Sequence, residues 1–77
     1  MYEYIICNQA DEEIFHKQCA ALEKRLKSIE KMPVLQDVDG SLIQRYSFDG
    51  KTIIVFNDLA LGAVTIESEE DLEPYFS

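Results

Sequence analysis

A chain of 77 residues with 47% hydrophobic content makes one small domain with a modest core, and leaves little room for a deep catalytic cleft. Fifteen acidic residues against seven basic ones give a formal charge of −8, which repels phosphates and anionic lipid and disfavours nucleic acid and membranes as direct partners. The two cysteines, Cys7 and Cys19, are too few for a disulfide scaffold and match no zinc spacing, so they read as reduced core thiols.

Neither a charged-then-apolar leader nor an apolar run of about 18 residues is present. The expectation is a cytoplasmic protein, with residues 1–77 forming a single domain.

Tyr2–Cys7 is β-branched and aromatic and predicts a strand. Asn8 is a candidate helix cap, with Asp11 three residues on as a loose capping box. Phe15, Cys19, Leu22, Leu26 and Ile29 then recur every three or four positions, the stripe of an amphipathic helix over Asn8–Glu30. Acids fall in its first turn (Asp11, Glu12, Glu13) and bases near its end (Lys24, Arg25, Lys27, Lys31), complementing the helix dipole. Glu13 with Lys17 and Glu23 with Lys27 stand at i,i+4 spacing.

Pro33 closes that region, and Asp37–Ser41 reads as a turn. Two β-rich runs, Leu42–Phe48 and Thr52–Asn57, flank Asp49-Gly50, a pair suited to the positive φ angles of a type I′ hairpin. That turn predicts Tyr46 opposite Ile53 and Gln44 opposite Val55 on one face, with Arg45 opposite Ile54 and Ile43 opposite Phe56 on the other. Both faces are partly apolar, so the second one meets either core or partner. A further strand follows over Ala63–Glu67, with Val64 and Ile66 inward and Thr65 and Glu67 outward. Ser68 then caps a helical turn over Glu69–Leu72, and Tyr75 and Phe76 pack back on the sheet.

The predicted fold is α+β: an antiparallel sheet of about four strands with one long helix on one face, in the order β-α-β-β-β plus a terminal turn.

Asp37-Val38-Asp39-Gly40-Ser41-Leu42 resembles the nucleophile loop of haloacid-dehalogenase-type phosphatases. In that family the loop follows a buried strand of a doubly wound sheet, and later segments supply a lysine and magnesium ligands. Met32–Gln36 is a poor strand for that purpose, and little chain follows. An EF-hand reading fails as well, because Gly40 stands at loop position four rather than six, and Phe48 occupies the last ligand position. A plain turn is the expectation. His16 could touch Cys19 along the helix, yet nothing signals oxyanion donors or a cleft, so no catalytic residue, metal or cofactor is assigned.

From Met32 onward there are nine acids against Arg45 and Lys51, which is −7 of the −8. The densest cluster, Glu67, Glu69, Glu70, Asp71 and Glu73, lies beside Tyr75. With Asp37 and Asp39 it forms the candidate partner-binding set, suited to a protein with a basic surface. The leading expectation is a non-enzymatic inhibitor of a basic effector, of immunity or antitoxin type and acting for example on a nuclease. The alternative is a regulatory or adaptor subunit, or a homo-oligomer, associating through the apolar sheet face centred on Ile43, Ile54 and Phe56.

Overall fold

A computed structural model describes residues 1–75; Phe76, expected to pack on the sheet, lies outside them. The chain runs β1 (Tyr2–Cys7), α1 (Glu12–Arg25), β2 (Glu30–Lys31), β3 (Leu35–Gln36), β4 (Leu42–Phe48), β5 (Lys51–Asp58), β6 (Ala63–Ser68) and a 3-10 turn (Glu73–Tyr75). The class is α+β, with six strands rather than four. The sheet order is β1-β6-β5-β4-β2, β3 also pairs with β4, and every pairing is antiparallel.

The two extra strands together make one interrupted edge along β4. Glu30 and Lys31 pair with Ser47 and Tyr46, and Leu35 and Gln36 pair with Ile43 and Leu42. Between Lys31 and Leu35 the chain advances four positions while β4 advances three, so one extra residue is accommodated at Pro33, which has no N–H to offer the ladder. The proline splits the segment, which is why Met32–Gln36 is a poor strand.

The helix is shorter than its apolar stripe suggests. Its N-cap is Asp11 rather than Asn8: the Asp11 carboxylate accepts from Ile14 N at 3.1 Å, and Asp11 N donates to the Asn57 carboxamide at 2.9 Å. Residues 8–10 link the end of β1 to the helix. At the other end Leu26 is the C-cap, because Glu30 and Lys31 are captured by the free edge of β4. An unpaired edge carries backbone donors and acceptors that a longer helix would leave without partners.

The Asp49-Gly50 turn behaves as expected, with φ of 53° and 78°, and each hairpin pair falls in the anticipated register. On the inner face Tyr46, Ile53, Val55, Val64 and Ile66 are buried against Phe15, Cys19, Leu22 and Leu26 of the helix region, and Leu72 closes one end. Burial of each large apolar side chain here contributes about 1.5–3 kcal/mol. Val64 and Ile66 point inward and Thr65 and Glu67 outward, as anticipated.

Two local expectations are corrected. Glu23 does not pair with Lys27; it accepts from the Tyr46 hydroxyl at 2.6 Å and meets Lys31 at 3.4 Å. The C-terminal helical turn begins at Glu73 and is capped by Asp71, which accepts from Glu73 N at 3.0 Å. Ser68 ends β6 instead, its hydroxyl accepting from Glu70 N at 3.0 Å.

Candidate functional site

The acidic candidates do not form one surface. Asp37 and Asp39 lie in the β3–β4 turn, whereas Glu69, Glu70, Asp71 and Glu73 lie past the far end of β6. Both turn acids serve their own backbone: Asp37 accepts from Val38 N at 2.7 Å and Asp39 from Ser41 N at 2.9 Å. Those bonds to Ser41 hold the Asp39 carboxyl below its ordinary value, since they favour the charged form. This is a self-stabilised turn joining two antiparallel strands, not the loop after a buried strand of a doubly wound sheet that the resemblance to haloacid-dehalogenase-type phosphatases implies.

The C-terminal acids are also committed locally. Glu69 accepts from Thr52 N at 2.7 Å, and Glu70 holds Lys51 at 2.7 Å. That contact with Glu70 raises the Lys51 ammonium above its usual range. Asp71 accepts from the Tyr4 hydroxyl at 2.9 Å, while the same hydroxyl accepts from Leu72 N at 2.8 Å. Tyr75 is half-buried, stands edge-on to Phe48 with ring centres 6.2 Å apart, and its carbonyl accepts from Arg25 at 2.6 Å. Together these contacts fasten the tail to the sheet. Glu73 stays exposed, and Glu67 points away from the others, onto the outer face of the sheet.

That outer face is the larger feature. Strand register places Leu35, Ile43, Phe56, Thr65 and Ile5 in one row across the sheet, from β3 through β4, β5 and β6 to β1. The neighbouring row reads Arg45, Ile54, Glu67, Glu3. The helix lies on the opposite side, and among the described residues no element lies over these side chains. Ile5 and Leu35 are 69% and 47% exposed, and Ile43, Ile54 and Phe56 are half-buried only by their neighbours in the sheet. Sequence reasoning found the central three from the hairpin register. Ile5 joins them only through the pairing of β1 with β6, distant in sequence, and Leu35 through the short β3 that follows Pro33.

A second concavity, a groove of about 530 Å³, lies between the helix and the β2–β3 edge. Cys19 and His16 both line it. Burial pushes the Cys19 thiol up, and His16 is exposed, with Nε2 3.5 Å from Glu12 and its ring edge-on to Phe15. A protonated thiol without a base in contact is a poor nucleophile. Among the described residues no three His, Cys, Asp or Glu side chains converge as a metal set, and no helix is long and apolar enough to cross a membrane.

No protein-family model matches the chain, and neither a curated protein nor a solved structure shows significant similarity to it.

Proposed function

We propose that this chain is a non-catalytic cytoplasmic association module whose open sheet face binds protein. The observation carrying this reading is the row from Leu35 through Ile43, Phe56 and Thr65 to Ile5, which spans the sheet with no element of the described residues over it. Apolar side chains gathered on one exposed face, interrupted only by Thr65 in this row, cost a small domain solubility unless something covers them, and a charge of −8 offsets that cost until they are covered. The same charge disfavours nucleic acid and anionic lipid as the covering surface.

Inhibition of a basic effector through the acidic segment is the second reading. It draws on the concentration of −7 of the −8 charge beyond Met32. The local engagement of Glu69, Glu70 and Asp71 weakens it, because carboxylates already bonded to backbone and lysine have less to offer a partner.

Capture of the tagged chain's complexes from its native host, at low and high salt, separates the two. The open-face reading expects a complex, with itself or with another protein, that survives high salt. It should be lost with Phe56→Ser and kept when Glu69, Glu70 and Glu73 are changed to Lys. The reverse pattern, salt-sensitive and indifferent to Phe56, would transfer the function to the acidic segment.

A further inference from the structure

Resting on the open-face reading, we infer that the occupant of this face is a second copy of the same chain, the two sheets packing face to face about a two-fold axis that runs along β5. The argument comes from where charge falls in the second row. Arg45 stands on β4, on one side of β5, while Glu67 on β6 and Glu3 on β1 stand on the other side, all level with Ile54. Among the described residues none of the three has an ion pair within its own chain. Arg45 and Glu67 stand two strands apart, about 9–10 Å, with Ile54 between them, and do not pair with each other.

A two-fold along β5 keeps each row level and exchanges its two sides. Arg45 of one copy then lies over the partner's Glu67, with the partner's Glu3 beside it, and the reciprocal pair forms on the far side. Ile54 meets its own counterpart, as does Phe56. In the first row Ile43 faces the partner's Thr65, and Leu35 faces the partner's Ile5. Sheets packed face to face lie about 10 Å apart, a gap that an arginine and a glutamate span together.

The other in-plane two-fold, running across the strands along this row, would stack Arg45 on Arg45 and Glu67 on Glu67. Like charges reject it. A uniformly basic partner would meet Arg45 unfavourably, and a uniformly acidic one would meet Glu67 and Glu3. A second copy carries both signs in the required mirror order.

The test is a charge exchange followed by sedimentation equilibrium at near-physiological salt, from about 10 μM to about 1 mM, a range suited to a small interface. The wild-type chain is expected to show a dimer. Arg45→Glu and Glu67→Arg, each alone, should weaken self-association by about tenfold or more, because each places like charges opposite one another twice. An equimolar mixture of the two variants should regain the dimer as a mixed species, since every pair is again of opposite sign, and native mass spectrometry identifies it. The double variant Arg45→Glu/Glu67→Arg should regain a homodimer. Both sites are on the surface, and thermal melts of each variant followed by circular dichroism verify folding; a single variant that melts early leaves the double variant to decide.

A wild-type chain monomeric throughout the range would overturn the inference. So would a dimer indifferent to Arg45→Glu, or a mixture that stays monomeric. If the wild type is monomeric yet a salt-resistant host complex depends on Phe56, only the second copy is refuted and the open face stands. If nothing depends on Phe56, both fall.

Discussion

The two faces of this sheet are built from the same strands and differ in what covers them. On β5, Ile53 and Val55 are fully buried beneath the helix, while their immediate neighbours Ile54 and Phe56 face outward. The inner side chains are committed to the fold, since each is enclosed by Phe15, Leu22, Leu26 or Tyr46. The outer ones are apolar without being needed to hold the helix on the sheet. An alternating strand normally reserves one face for water, so of the apolar residues on the two faces of β4 and β5 only the inner set is required to seat the helix. β6 marks the contrast: it is apolar inside, at Val64 and Ile66, and polar outside, at Thr65 and Glu67.

The strongest challenge to this distinction is Leu22→Asp. Leu22 is 1% exposed, and an unpaired carboxylate there costs several kcal/mol, comparable with the whole stability of a small domain. Cooperative thermal unfolding should disappear; a normal melt would mean the helix does not pack as described. Next in size is the adjacent pair on β5. Ile53→Ala should cost about 2–4 kcal/mol, as buried isoleucine truncations do. Ile54→Ala, on the outer face and measured in dilute solution, should cost about 1 kcal/mol or less. Equal losses in urea titrations would erase the difference between the faces.

A subtler probe concerns the polar contacts beneath the helix. Burial, and then the hydrogen bond to Glu23, push the Tyr46 phenol far above the ordinary tyrosine range. Burial likewise raises Tyr4 and the Cys19 thiol. A group whose folded value lies above its unfolded one stabilises fully below the unfolded value and loses that contribution as pH rises beyond it. Stability should therefore fall on the alkaline side, beginning near pH ~8.5–9 with Cys19 and steepening above ~10 with the tyrosines. Tyr46→Phe should lower neutral-pH stability by about 1–2 kcal/mol and flatten the alkaline decline in urea titrations. An unchanged alkaline slope would exclude Tyr46 as its main source.

The smallest effect lies at the start of the helix. Asp11→Ala should cost about 1 kcal/mol, the usual loss of a cap, while Asn8→Ala should be close to neutral. Chemical denaturation of the two variants side by side checks the assignment.

Several of these features were legible in the residues because their causes are local. The stripe of Phe15, Cys19, Leu22 and Leu26 follows from helical periodicity alone, and Asp49-Gly50 sets the hairpin register through backbone geometry. From that register came Ile43, Ile54 and Phe56 as an apolar second face. The acidic cluster was equally visible as composition, but its engagement was not. That Glu69 would accept from Thr52 N, or Asp71 from Tyr4, depends on a strand end and a tail meeting across more than a dozen positions of sequence.

Sequence by itself determined the α+β class, the apolar side of the helix, the hairpin and the inward side of β6, because each follows from neighbours within a few residues. Only the tertiary structure decided that β1 lies beside β6, that the helix stops at Arg25 so that Glu30 and Lys31 can join β4, and that Leu35 and Ile5 complete the open row. These choices are made by satisfying backbone hydrogen bonds at sheet edges and by burying apolar area between distant segments, and neither quantity is a property of any short stretch of chain.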